Sequence, residues 1–114
     1  MNIKIISDTI TEKELREIAK EFYATMVKGA VDIERGILAL GGEYHIDASN
    51  VLTEGGSKQQ NVWGFNLYPN EEGEQRVEYV ALINIRPGLG NRDMYIEDAG
   101  IREKIYSIVN TLVP

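Results

Sequence analysis

The chain contains no cysteine, and this absence excludes several classes of site. Without thiols there is no disulfide bond, no thiolate metal ligand and no cysteine nucleophile. Histidine is almost as scarce, since His45 is the only one. Any imidazole chemistry, whether metal binding or general-base catalysis, must therefore use that one side chain.

Long apolar runs are also missing. No stretch approaches the roughly 18 apolar residues that a transmembrane helix requires, so we expect no membrane span. The first nine residues, MNIKIISDT, lack the longer apolar core and the cleavage site of a signal peptide, and they read as a strand. The expected location is the cytoplasm.

Positive charge is in short supply. The chain has 12 Lys and Arg against 18 Asp and Glu, which gives a net charge of −6. Such a balance disfavours non-specific binding to nucleic acid or to anionic membranes, although it is compatible with a local basic patch. The length of 114 residues predicts a single domain, 1–114, that buries one core.

The first half of the chain predicts a strand, a helix and a hairpin. Residues 2–6 alternate weakly and indicate a short strand. Thr11 and Glu14 have the spacing of a capping box, which predicts a helix that ends at Gly29. Residues 30–40 then read as a β-hairpin.

The second half predicts two more helices and two more strands. Asp47 is placed to cap a short helix over 48–54, and Asp98 to cap a long one near the C-terminus. Residues 62–68 and 76–86 read as strands joined by a short loop. The middle of 76–86 is apolar on both faces, so we expect it to be buried on both sides.

The predicted order is β-α-β-β-α-β-β-α, which indicates an α+β domain. We expect a mostly antiparallel sheet of about five strands, with two long helices and one short helix packed on one face.

A ligand site is predicted at one end of this sheet. If 62–68 and 76–86 pair as a hairpin, the far end of the second strand lies opposite the segment that precedes the first. The side chains expected to converge there are Ser57, Lys58, Gln59, Asn84, Arg86, Asn91 and Arg92. Guanidinium and ammonium groups suit a carboxylate or a phosphate, so the pattern favours a small polar or anionic ligand, or an acidic group of a partner. The alternative is that Arg86 pairs with an acid and the two asparagines bond only to loop backbone.

A second hypothesis concerns Glu43, His45 and Asp47. On an extended segment these alternate residues project to one side, where they could bind a metal or act as a general base. This spacing suggests a metal-dependent or general-base hydrolase. Against it, a single histidine beside acids commonly forms a surface ion pair, and Asp47 is already explained as a helix cap. A third hypothesis is a homodimer formed through the last helix or an unpaired sheet edge. No cofactor is indicated.

A set of motifs extends over nearly the whole chain. These motifs are Val31-Asp32-x-Glu34-x-Gly36, Glu43-x-His45-x-Asp47, Gly56-Ser57-x-Gln59, Trp63-Gly64-x-Asn66-x-Tyr68-Pro69, Ile83-Asn84-Ile85-Arg86-Pro87, Gly90-Asn91-Arg92, Glu97-Asp98 and Ile101-Arg102. In this combination the chain resembles a small family of uncharacterised prokaryotic proteins, a domain of unknown function. Members tend to run Gly-Asn-Arg-Ser-Arg, whereas Asp93 and Met94 follow Arg92 here, so a second basic residue is absent. The resemblance implies the outline of the domain and no particular activity.

Overall fold

A five-stranded antiparallel sheet forms the centre of the structure, a computed structural model that describes residues 1–114. The strands are β1 (Lys4–Ile6), β2 (Val27–Asp32), β3 (Ile37–Leu40), β4 (Val62–Leu67) and β5 (Val77–Glu78). They lie in the order β1-β3-β2-β4-β5, and every neighbouring pair is antiparallel. The helices are α1 (Glu12–Phe22), α2 (His45–Glu54) and α3 (Ala99–Leu112). The α+β class and the predicted order of elements are confirmed.

Helices cover both faces of the sheet. The long helices α1 and α3 pack on one face, where side chains such as Leu15 and Ile105 join Phe65 in the larger part of the core. The short helix α2 packs on the other face, with Leu52 against Ala30 and other small residues of the central strands. The expectation that all helices share one face is therefore wrong for α2. Strands β2 and β4 carry apolar side chains in both directions, so both of their faces must be covered.

The capping box at the start of α1 is present. The Glu14 amide donates to Thr11 Oγ1 over 3.1 Å, and the Thr11 amide donates to Glu14 Oε1 over 3.2 Å. The helix ends at Phe22, however, and the expectation that it runs to Gly29 is wrong. Gly29 lies within β2, where a Cβ atom would come within 2.5 Å of the Phe65 ring. Gly29 therefore allows close packing in the sheet and does not terminate α1.

Helix α2 begins at His45, so the expectation that Glu43, His45 and Asp47 lie on an extended segment is wrong. Asp47 lies in the first turn of the helix and is not its N-cap. Its Oδ2 atom accepts the amide of Tyr44 over 3.0 Å, so it still satisfies a backbone donor at the helix start. Asp47 was correctly expected to bond to the backbone at the helix start, and the helix begins three residues earlier than predicted.

The largest correction concerns the predicted strand over 76–86. Strand β5 stops at Glu78, Val80 forms a single bridge with Tyr95, and residues Leu82–Asn84 form a 3₁₀ turn. Leu82, expected inside, is 72% exposed. The chain therefore leaves the edge of β4 after two residues and covers the α2 face of the sheet as an irregular segment.

None of the helices has the length and hydrophobicity needed to cross a membrane.

Candidate functional site

The two segments predicted to converge at the end of the sheet do meet through Arg86 and Gln59. Arg86 Nη1 donates to the Gln59 carbonyl over 3.0 Å, and the guanidinium carbon lies 5.2 Å from the centre of the Trp63 ring. Burial lowers the pKa of Arg86 below its usual value, although the group stays charged. Arg86 and Gln59 line an open depression of about 520 Å³ with Gln60, Gly88 and Leu89.

The asparagines predicted for this site are buried and bonded to backbone. Asn84 bonds to both backbone polar groups of Gly64, and its Nδ2 atom also donates to the Met94 carbonyl. Asn91 Nδ2 lies within 2.8 to 3.1 Å of three carbonyls, and its Oδ1 atom accepts the Glu97 amide. Both carboxamides therefore have their hydrogen-bonding capacity filled by the fold.

The remaining predicted residues do not join Arg86 at the depression. Ser57 is buried, and its hydroxyl accepts a hydrogen bond from Arg35 Nη1 over 3.0 Å. Lys58 and Arg92 are exposed, and neither forms an ion pair. The ligand site at this end of the sheet stays a prediction, now resting on Arg86 and Gln59.

A more enclosed cavity lies on the α2 face of the sheet. It has a volume of about 380 Å³, within the range of small-molecule sites. The start of α2, the beginning of β2, the end of β4 and the irregular segment after β5 surround it. Its polar end is formed by Lys28, Tyr44, His45 and Asn66, and its apolar wall by Ile46, Val80, Ala81, Leu82, Ile83 and Met94.

His45 is held in this cavity by acceptors at one ring nitrogen. Its Nε2 atom lies 2.7 Å from Asn66 Oδ1 and 3.1 Å from the Phe65 carbonyl. The orientation of the Asn66 amide follows from its other partners, because Asn66 Nδ2 faces Glu78 Oε1 at 2.7 Å and the Val80 carbonyl at 3.3 Å.

The tautomer of His45 follows from these contacts. Both partners of Nε2 are acceptors, so Nε2 carries the proton and Nδ1 carries the lone pair. Nδ1 makes no hydrogen bond within the protein, and it is not among the polar atoms buried without a partner. It is therefore free to accept a proton or a hydrogen bond from outside the protein.

The same environment keeps the imidazole neutral. Burial is the largest effect and lowers the pKa of His45 below its usual 6.5, and the nearby charge of Lys28 lowers it further. The hydrogen bonds to Asn66 and Phe65 and the charge of Glu78 act in the opposite direction and only partly offset it. At neutral pH the residue is an uncharged base.

Lys28 brings a positive charge to the polar end of the cavity. Its ammonium nitrogen lies 5.0 Å from the ring centre of Tyr23 and 5.5 Å from that of Tyr44. The structure contains two ion pairs, Lys4–Glu14 and Arg16–Glu12. Lys28 belongs to neither, so no carboxylate lies within 4.0 Å of its ammonium nitrogen. A half-buried cation in an acidic protein thus has aromatic neighbours and no counter-ion.

Glu43 and Asp47 do not join His45 in a metal or catalytic cluster. Asp47 bonds to the start of α2, and the backbone of Glu43 accepts the Tyr23 hydroxyl. No three Asp, Glu or His side chains come together in a way that could hold a metal ion. The shared side expected for the three residues is wrong because they lie at a helix start, where alternate residues diverge.

Sequence reasoning missed Lys28, Asn66 and Glu78 as neighbours of His45. Asn66 was the available signal, since it is a carboxamide on an otherwise apolar strand, β4. A buried amide in such a strand needs polar partners. The strand pairing of β4 with β5 supplies Glu78, and the packing of α2 supplies His45.

Two comparisons with known proteins found no similarity: no curated protein and no solved structure matches the chain. The family model described as "Protein of unknown function (DUF5674)" matches residues 4–112, so the chain belongs to this family.

Proposed function

We propose that the protein binds a small organic acid in the cavity beside His45. The carboxylate would lie at Lys28, and an apolar portion would contact the wall formed by Ile46, Leu82 and Met94. The observation that carries this proposal is the unpaired ammonium group of Lys28 in a chain with 18 acidic residues. A cation that lines a cavity and has no carboxylate within 4.0 Å is suited to an anion from outside.

His45 adds a requirement on the ligand. Because Nδ1 is an acceptor, a ligand that places a hydroxyl or amino hydrogen there forms a further bond. A 2-hydroxy acid with an apolar chain has the three features together: an anion, a donor beside it and an apolar tail. We therefore expect 2-hydroxyhexanoate to bind more tightly than hexanoate.

The test is a titration of the ¹⁵N-labelled protein with these two acids, followed by NMR. We expect shifts at Lys28, His45 and Met94, and a loss of affinity of about tenfold or more in Lys28→Met, since a charged hydrogen bond contributes about 1.5–3 kcal/mol. Lys58→Met is the matched control, because it removes the same charge at an exposed site. Equal effects of the two substitutions, or no shift with either acid, would contradict the proposal.

The depression at Arg86 is a second candidate for anion binding. Arg86 also lacks a carboxylate partner, and only its contacts with Gln59 and Trp63 hold it. Inorganic phosphate is the appropriate probe, because a guanidinium group matches its geometry. Arg86→Ala should abolish phosphate binding and leave most of the stability. If Arg86→Ala unfolds the protein instead, the residue has a structural role.

The neutral, oriented His45 also supports the hydrolase hypothesis in its general-base form. Nδ1 could take a proton from a water molecule that attacks a bound ester. Turnover of p-nitrophenyl hexanoate that disappears in His45→Gln would support this activity. Absence of turnover would leave binding as the function.

Self-association is proposed on the basis of exposed apolar side chains. Leu82 is 72% exposed and Leu89 is 50% exposed, and both lie on the irregular segment after β5. Sedimentation at two protein concentrations tests it: a strict monomer excludes a homodimer, and a dimer should dissociate in Leu82→Lys.

A further inference from the structure

A second cavity, separate from both candidate sites, lies between the segment after β5 and the first turns of α3. Its volume is about 420 Å³, and it shares no residue with the cavity beside His45. Its principal side chains are Tyr79, Tyr95, Tyr106, Arg102, Glu74 and Glu103. Half of these side chains are phenols, which combine an apolar ring with a polar tip.

The charged groups of this cavity retain unused hydrogen-bonding capacity. Arg102 lies against Tyr95, with its guanidinium carbon 5.0 Å from the ring centre, and it donates to the Tyr95 hydroxyl. It has no carboxylate within 4.0 Å, so Glu74 and Glu103 are not paired with it. The cavity thus offers a planar set of donors and two separate carboxylate acceptors.

The hydroxyls of Tyr79 and Tyr106 are also available. Neither forms a hydrogen bond within the protein, and neither is a buried atom without a partner, so both are open to the cavity. Burial and the neighbouring Tyr106 raise the pKa of Tyr79 above its usual 10.0, so its hydroxyl keeps its proton at neutral pH. Each phenol can donate one hydrogen bond and accept another.

Two ligand classes fit this cavity poorly. A phosphate or another polyanion would face two carboxylates on a protein whose net charge is already −6. An organic cation would compete with Arg102, which already occupies the ring of Tyr95. A neutral ligand with several hydroxyls meets neither obstacle.

We propose that this tyrosine-lined cavity binds a neutral sugar ring. Each sugar hydroxyl donates and accepts at once, which matches the mixture of guanidinium, phenol and carboxylate groups found here. The less polar C–H face of a pyranose would contact a tyrosine ring, as amphipathic ligands do in such sites. This inference does not depend on an anion in the cavity beside His45.

The experiment is an NMR titration of the full chain with D-glucose, D-galactose, D-mannose and N-acetyl-D-glucosamine in turn. At least one sugar should shift the resonances of Tyr79, Tyr95 and Arg102 while those of His45 and Lys28 stay in place. Inorganic phosphate and tetramethylammonium are titrated in parallel. The proposal would be overturned if one of the ions shifted these resonances and none of the sugars did. It would also be overturned if no compound shifted them.

Variants locate the binding. Arg102→Met should lower the affinity for the bound sugar by about tenfold or more. Arg92 is an exposed arginine without an ion pair, so Arg92→Met should leave the affinity unchanged. Because Arg102 also lies 3.4 Å from the Ile96 carbonyl, its loss can loosen the fold. Tyr106→Phe removes a single oxygen and should weaken binding by about fivefold. An unchanged affinity in Tyr106→Phe and Arg102→Met would place the sugar elsewhere and refute the assignment.

Discussion

The carboxamide of Asn84 pairs with Gly64 in the way that a neighbouring strand would. Asn84 Oδ1 accepts the Gly64 amide over 2.8 Å, and Asn84 Nδ2 donates to the Gly64 carbonyl over 3.0 Å. Strand β5 pairs with β4 only at Asn66 and Leu67, so the side chain satisfies the backbone of β4 where β5 is no longer beside it. This bond allows the chain after Glu78 to leave the sheet and form a wall of the cavity beside His45.

Asn84→Ala should therefore destabilise the protein by about 2–4 kcal/mol, because two buried backbone groups lose their partners. Urea denaturation measures the difference in the free energy of unfolding. Asn50→Ala, at an exposed position of α2, is the control and should change stability by less than about 0.5 kcal/mol. If the two variants are equally stable, the Asn84 amide does not support the sheet.

Gly64→Ala should cost about 1–3 kcal/mol through overpacking. A Cβ atom at Gly64 would lie 2.6 Å from the Cβ of Ala81 and 3.0 Å from Ile83, so the segment that covers this face would have to move away. Gly88→Ala is the matched control, because a Cβ atom there has no neighbour within 4 Å and the backbone needs no positive φ. Thermal unfolding of the two variants should separate them clearly, and a normal melting temperature for Gly64→Ala would contradict the close approach.

His45 should make stability depend on pH in a predictable direction. Its folded pKa lies below the unfolded value of about 6.5, so the unfolded state binds the proton more readily. The stabilising contribution is complete above pH of about 6.5 and is lost as the pH falls through the folded pKa. The difference in unfolding free energy between wild type and His45→Gln should thus decrease on acidification across this window.

The same residue can be followed directly by NMR, because it is the only histidine. Its ring resonances should report a pKa below 6.5, and its nitrogen shifts at neutral pH should show the proton on Nε2. A pKa above the ordinary value, or a proton on Nδ1, would contradict the arrangement with Asn66.

Asp47→Ala should lower stability by about 0.5–2 kcal/mol, the usual cost of losing a side-chain bond at a helix start. The carboxylate accepts the Tyr44 amide over 3.0 Å and forms no hydrogen bond with His45, whose partners are Asn66 and the Phe65 carbonyl. Circular dichroism during urea denaturation measures the stability, and the pKa of His45 should stay unchanged. A large change in that pKa would restore the hypothesis that Asp47 acts together with His45.

Signals within a few residues of each other predicted much of this fold correctly. Thr11 and Glu14 predicted the start of α1 because a capping box involves only residues in one turn. The hairpin over 30–40 and the strand over 62–68 followed from alternation, which is also local. In each of these elements, the local sequence pattern favours the same helix or strand in which the backbone forms its hydrogen bonds.

The segment after β5 could not be predicted in this way. Residues 79–83 alternate like a strand, and they bury some of their apolar atoms, yet their backbone does not continue the ladder. An irregular segment packed on the α2 face shows the same apolar sequence pattern as a central strand. The strand and the irregular segment differ in the hydrogen bond between Asn84 and Gly64, which is 20 residues away along the chain. No local sequence pattern contains that information.

The sequence by itself determined the order of elements, the class of the fold and the dependence of any imidazole chemistry on His45. Only the tertiary structure decided what surrounds His45: Asn66 and the Phe65 carbonyl at Nε2, Lys28 nearby, and an apolar wall. The physical reason is that hydrophobic alternation and helix caps act between neighbours along the chain. The tautomer of an imidazole and the missing counter-ion of a lysine depend on side chains that meet only when α2, β2 and β4 pack together.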